Sequence, residues 1–155
     1  MPTVYLGLGT NLGDKAGNLR RATDEINEKI GKVTSLSSFY ETVPWGFRSD
    51  NTFLNAALRA ETSLTPEEVL AHTQQIERDL GRRHKSANGI YHDRPIDIDL
   101  LLYDDLCLHT PSLILPHPGI AERLFVLRPL ADIAADVQHP VSGMSIRQLL
   151  QRLEG

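Results

Sequence analysis

His92-Asp93-Arg94-Pro95-Ile96-Asp97-Ile98-Asp99-Leu100-Leu101-Leu102-Tyr103 reads as an arginine feeding a β-strand that carries two acids. Side chains alternate faces along a strand, so Asp97 and Asp99 share one face. Ile96, Ile98, Leu100 and Leu102 are then expected on the other face, in a core. Neighbours on one face stand roughly 6–7 Å apart, twice the rise per residue. That separation lets two carboxylates share a pair of hard cations. Mg²⁺ takes oxygen ligands, keeps several waters and completes its shell with phosphate oxygens. Aspartate is depleted in strands, so two in one strand ask for a reason. An alternating strand with one wet face explains the same pattern, and these two residues alone do not choose.

The whole chain has 155 residues, enough for one domain with its own core. Its hydrophobic share of 41% and charged share of 23% are ordinary for a globular protein. The net charge of -4 and the lack of a basic stripe disfavour a nucleic-acid partner. The single cysteine, Cys107, excludes an internal disulfide. It lies in an apolar run and is expected to pack as a small hydrophobe. No basic-then-apolar leader and no membrane-length apolar run is seen, which predicts a cytoplasmic protein away from membranes. A monomer is expected.

From the N-terminus, Thr3–Leu8 reads as a buried strand running into Gly9-Thr10-Asn11-Leu12-Gly13-Asp14-Lys15. This loop misses both glycine-rich phosphate patterns: Leu12 stands where a dinucleotide fingerprint needs glycine, and Asp14 separates Gly13 from Lys15. A tight strand-to-helix turn is the better reading. Leu19, Ala22, Ile26 and Ile30 mark one helix face, ended by Gly31. Lys32–Tyr40 reads as a second strand. Residues 43–51 form a loop holding Trp45 and Phe47, either tucked beneath it or closing over a flat ligand. In the third strand, Phe53–Thr62, Leu54, Ala56, Leu58 and Ala60 face inward. Phe53, Asn55, Ala57 and Arg59 face the other way. An amide beside a ring suits the edge of a heterocycle, although a cross-strand hydrogen bond would also explain Asn55.

Thr65-Pro66-Glu67-Glu68 is a capping box with proline at the first helical position. The helix it opens carries Val69, Leu70, Ile76 and Leu80 and is expected to stop at Gly81. The basic stretch 82–89 follows and leads straight to Arg94 and the paired acids. Arginines beside a metal-binding strand suit a polyphosphate, although a solvated loop is the commoner explanation. Leu113–Pro118 ends on His117 between prolines, and Arg123–Leu130 sets two arginines around apolar residues. Ile146, Leu149, Leu150 and Leu153 mark a closing helix. No repeat, linker or second domain is evident, so residues 1–155 read as a single domain.

The order β-α-β-β-α-β with a helical tail predicts an α+β fold: a ferredoxin-like sandwich with an antiparallel sheet and an extra C-terminal helical segment. Helices are expected on one face. Phe53, Asn55, Asp97 and Asp99 fall on the other, partly free face.

The chain resembles the 6-hydroxymethyl-7,8-dihydropterin pyrophosphokinase family. The match lies in Gly9-Thr10-Asn11, Ser37–Thr42, Phe53–Ala57, Gly81-Arg82, the Arg94-x-x-Asp97-x-Asp99 strand, Leu115–Pro118, Phe125 and Pro129-Leu130. These blocks fall in family order over nearly the whole chain. The resemblance implies transfer of pyrophosphate from ATP to a pterin hydroxymethyl group, releasing AMP, in folate synthesis. It implies two Mg²⁺ ions on Asp97 and Asp99. It implies that Phe53 and Phe125 sandwich the pterin, that Asn55 and the backbone around Thr42 and Val43 read its edge, and that Trp45 lies alongside. Arg82, Arg94 and His117 would contact the ATP phosphates, with Arg123 a further phosphate-side residue. Gln74 and Tyr91 would lie near the nucleotide. Tyr91-His92-Asp93 stands where the family carries Trp-Gly-Pro, and Ser112 where it carries arginine. A ligand-sensing domain of the same topology would not explain the acid strand beside a basic loop. A nucleotide-sugar transferase would be longer. An RNA-binding module would carry aromatics and basic charge where these strands carry acids.

Overall fold

The computed structural model describes residues 1–42, 52–83 and 95–155, with residues 82 and 83 as backbone alone. Its strands are β1 (Thr3–Thr10), β2 (Lys32–Leu36), β3 (Tyr40–Thr42), β4 (Phe53–Glu61), β5 (Asp97–Tyr103), β6 (Leu108–His109) and β7 (Ile114–Leu115). The helices are α1 (Lys15–Lys29), α2 (Pro66–Arg83), α3 (Leu124–Ala134) and α4 (Ile146–Glu154), with a 3-10 turn at Ile120–Glu122. The main sheet runs β2-β4-β1-β5, and β3 also pairs with β4; β6 and β7 form a separate hairpin. Every pairing is antiparallel. Taken through β1, α1, β2, β4, α2 and β5, this is the expected ferredoxin-like α+β order with helices appended at the C-terminus.

Two cores explain why the sheet is stable. On one face Val4, Leu6, Leu8, Ala56, Leu58, Ala60, Ile98 and Leu100 pack under Leu19, Ala22 and Ile26 of α1 and Val69, Ile76 and Leu80 of α2. On the other face Tyr5, Ala57, Leu101 and Leu102 pack under Leu127 and Leu130 of α3 and Ile146 and Leu149 of α4. Each fully buried leucine or isoleucine contributes about 1.5–3 kcal/mol of transfer free energy. The second face is therefore largely covered, where the sequence suggested helices on one face only. Its uncovered part lies at one end.

Several local expectations are corrected by the structure. Leu102 joins Leu101 on the second face, because the β1–β5 register slips between Tyr5 and Leu6. The slip places two residues opposite one and turns the strand over. The predicted strand Lys32–Tyr40 is two strands. Ser37 interrupts it: its hydroxyl accepts the Ala57 N–H at 2.8 Å and donates to the Ser38 carbonyl, replacing ladder bonds. Helix α2 runs through Gly81 to Arg83. Cys107 is exposed, in the short link before β6. The Thr65 cap holds as read, with the Glu68 N–H on the Thr65 hydroxyl and the Thr65 N–H on the Glu68 carboxylate.

His139 closes the turn before α4. Its Nδ1 accepts the N–H groups of Val141 and Ser142 at 3.3 and 3.1 Å. Burial holds its pKa below the ordinary value of 6.5. The folded chain thus takes up a proton less readily than the unfolded chain. Stability is complete above about pH 6.5 and is lost as pH falls below it. The melting temperature is expected to drop between about pH 7 and pH 5. His139→Asn, which keeps an acceptor that does not ionise in this range, should flatten the drop. An unchanged slope would show that the titration lies elsewhere.

Candidate functional site

At the open end of the second face lies a cleft of about 860 Å³. Asp97 and Asp99 line its floor from β5, beside Gly7 and Gly9 of β1. The register sets Gly9 opposite Asp97 and Gly7 opposite Asp99. Each acid thus faces a residue with no side chain, which leaves the floor open. Strand β5 is at the sheet edge, and an edge N–H needs another acceptor. Glu77 of α2 supplies it, accepting the Ile98 N–H at 2.7 Å between the two acids.

One wall comes from β3 and β4. Phe53 and Asn55 line the cleft with Thr42. Asn55 is 6% exposed, and its amide donates to the Thr42 hydroxyl at 2.9 Å. A Cβ added at Gly9 would stand 3.1 Å from Asn55 Oδ1, so the glycine gives the amide its room. Further lining comes from the first turn of α3. Phe125 is 41% exposed there, a large apolar ring left at a cleft wall. Arg123 precedes it, with its guanidinium carbon 5.8 Å from the ring centroid. A Cβ at Gly119 would meet that guanidinium at 2.9 Å.

His117 is not among the lining residues but lies close enough to feel the site. Burial lowers its pKa; Asp99 opposes the shift and Arg123 adds to it. Its Nδ1 accepts the Gly119 N–H at 3.0 Å. The neutral ring therefore carries its proton on Nε2. Its backbone N–H donates to the Leu101 carbonyl at 2.9 Å, tying it to the turned segment of β5.

The cleft thus brings together Thr42, Phe53, Asn55, Asp97, Asp99, Arg123 and Phe125. Gln74 is exposed on α2, three residues before Glu77, and does not line the cleft. Val43, Trp45, Tyr91, Arg94 and the Arg82 side chain lie outside the described residues. Glu122, Arg128 and Leu153 also line the cleft and were not foreseen. Arg128 Nε stands 3.2 Å from Glu154 Oε2, which joins α3 to α4 beside Leu153. Only the two arginines around the apolar set hinted at this.

The donor set is all oxygen at the two acids. Among the described residues no group of three or more His, Cys, Asp or Glu side chains could hold a metal. Two carboxylates without a third protein ligand fit a cation that retains water and takes phosphate oxygens, which is Mg²⁺ behaviour. Among the described residues no helix is long and apolar enough to cross a membrane.

Comparison with known proteins bears on what the cleft serves. A family model described as 7,8-dihydro-6-hydroxymethylpterin-pyrophosphokinase matches residues 5–135. A 2-amino-4-hydroxy-6-hydroxymethyldihydropteridine pyrophosphokinase of Porphyromonas gingivalis is 49% identical over 135 residues, covering 86% of this chain and 92% of that protein. One from Bacillus subtilis is 44% identical over 136 residues, covering 87% and 80%. Among solved structures, a Plasmodium falciparum HPPK-DHPS triple mutant with SDX-DHP aligns with a TM-score of 0.78 at 18% identity. That alignment covers 97% of this chain and 44% of the other, so the chain spans less than half of it, and the likeness speaks to fold alone.

Proposed function

The chain belongs to the 7,8-dihydro-6-hydroxymethylpterin-pyrophosphokinase family, and on that premise we propose that it moves pyrophosphate from ATP to 6-hydroxymethyl-7,8-dihydropterin with two Mg²⁺ ions at Asp97 and Asp99. The observation that carries the reading is one cleft holding both acids, two rings and a buried amide. The pterin lies between Phe53 and Phe125. Asn55 reads its edge, with Thr42 and the backbone at Val43 completing that edge and Trp45 alongside. Asn55 has given one N–H to Thr42, and its other N–H and its oxygen suit a heterocycle edge that offers both an acceptor and a donor. Arg82, Arg94, Arg123 and His117 hold the phosphates, with Gln74 and Tyr91 toward the nucleotide. The Nε2 proton of His117 suits a phosphate oxygen.

The pterin hydroxyl oxygen attacks the β-phosphorus. The bond from that phosphorus to the oxygen bridging it to the α-phosphate breaks, the hydroxyl proton is released, and AMP leaves. Bound Mg²⁺ would supply charge neutralisation and a lower hydroxyl pKa. The protein's part is to hold the two substrates in line, since phosphoryl transfer is mostly positioning and electrostatics. The reading places the enzyme in the cytoplasm as a monomer acting in folate synthesis.

A product assay with ATP, Mg²⁺ and the hydroxymethyl-dihydropterin tests this. AMP formed in step with pterin diphosphate is the expected result. ADP would indicate an ordinary kinase, and no turnover a binding domain; either outcome rejects the proposal.

A further inference from the structure

We propose that Asp132 is a positioning residue that locks α3 to the β3 edge through Tyr40 and Ser38, and so sets the gap between the Phe125 and Phe53 rings. The proposal rests on the reading that these two rings hold the pterin between them.

Both carboxylate oxygens of Asp132 are engaged by one short segment. The Tyr40 hydroxyl donates to Oδ1 at 2.7 Å, and the Ser38 N–H donates to Oδ2 at 3.1 Å. That segment runs directly into the wall of the cleft. In the β3–β4 register Tyr40 stands opposite Asn55 and Thr42 opposite Phe53. The strand that Asp132 grips is therefore the strand alongside the ring and the amide.

On α3 the geometry is as direct. Phe125, Arg128 and Asp132 are spaced i, i+3 and i+7, so they lie along one helix face. The Asp132 contacts sit two turns from the ring on that same face, where they oppose rotation and sliding of the helix. The first turn of α3 needs such help. Pro129 lies inside the helix and has no N–H, so the Phe125 carbonyl lacks its i+4 donor. The ring itself is 41% exposed. Two rings that sandwich a flat heterocycle must stand roughly 7 Å apart, twice a carbon–carbon contact of about 3.5 Å. A helix shift of a fraction of that distance would lose one of the two contacts.

The hydrogen bond to Asp132, helped by burial and by the charge of Asp132 and opposed by Arg128, pushes the Tyr40 hydroxyl above its ordinary pKa. The phenol thus stays a donor throughout the neutral range. Neither Tyr40 nor Asp132 lines the cleft, so neither would touch the pterin.

Calorimetry of the full chain separates the possibilities. Pterin affinity is measured with a non-hydrolysable ATP analogue and Mg²⁺ present, and analogue affinity is measured alone. Tyr40→Phe and Asp132→Ala should each weaken pterin binding about fivefold, and the double variant no more than Asp132→Ala alone, because Asp132→Ala already removes the Tyr40 contact along with the Ser38 one. Analogue affinity should stay within about twofold of the parent, as the contact lies on the pterin side. Phe53→Ala is the control for the sandwich. If it loses pterin affinity while Tyr40→Phe and Asp132→Ala do not, the positioning role is overturned and the sandwich stands. If Phe53→Ala changes nothing, the sandwich fails and the proposal fails with it. Equal losses for pterin and analogue in the Tyr40 and Asp132 variants would mark a merely structural contact and also overturn it. Tyr40→Phe removes one oxygen, so it keeps the test open if Asp132→Ala does not fold.

Discussion

Asp97→Ala and Asp99→Ala are each expected to lower turnover by about a thousandfold or more, since losing a metal ligand removes several kcal/mol of transition-state stabilisation. Neither should unfold the protein. Both side chains stand on the cleft face, while Ile98 and Leu100 between and beyond them remain in the core under α1 and α2. The backbone around them is held independently, by the β1 ladder on one side and by Glu77 on the Ile98 N–H on the other. The loss would therefore be chemical. Gly9 and Gly7, which stand opposite Asp97 and Asp99 on β1, offer no side chain that could take over a lost ligand. Steady-state rates at saturating ATP and ordinary Mg²⁺, with circular-dichroism melts beside them, check this. Near-parental rates in either variant would reject the metal role, and a collapsed melt would show that the acids serve the fold.

The acid strand was legible because its alternation is strict from Ile96 to Leu100. Beyond that point the chain reads Leu100-Leu101-Leu102, and a run of one residue type cannot announce which member turns over. The bulge that sends Leu102 to the second core is set by pairing with β1, which no local pattern carries. Helix α3 was missed for a related reason. Pro129 near the end of Arg123–Leu130 argues against a helix locally, yet Val126, Leu127 and Leu130 of the apolar set bury against the second face of the sheet. Tertiary burial outweighs the roughly 3 kcal/mol that an interior proline can cost. Missing α3 also hid the cover on that face. Gly81 failed as a helix stop because Leu80 before it is anchored in the first core, and glycine costs a helix interior only about 1 kcal/mol. Cys107 sits in an apolar run but in the short link between the 104–105 turn and β6, where run composition says nothing of burial. At the site, Phe53 and Asn55 could be found from strand alternation alone. Phe125 could not: its place in the cleft depends on α3, and only family resemblance pointed to it. The Tyr40–Asp132 contact joins residues 92 positions apart and leaves no trace in either local pattern.

Phe53→Ala is expected to weaken pterin binding about ten- to a hundredfold, the range that stacking of a flat base on an aromatic side chain contributes. The ring stands on the cleft face of β4, whereas its neighbour Leu54 packs against the first core, so truncation should leave the sheet intact. Phe125→Ala should produce a loss of the same order, because a sandwiched heterocycle uses both faces equally. ATP-analogue affinity should change by no more than about twofold in either variant, since neither ring is on the phosphate side of the cleft in this reading. Asn55 supplies the contrasting case. Asn55→Leu keeps the volume but leaves the Thr42 hydroxyl without its amide donor and the heterocycle edge without a polar partner. It should lose pterin affinity with little change in the response to ring-modified analogues that keep the flat face. Calorimetry with pterin and nucleotide titrated separately reads all of these. Comparable losses for both ligands in Phe53→Ala would mean that the ring shapes the cleft as a whole, and the division of the site into a pterin end and a phosphate end would then be wrong.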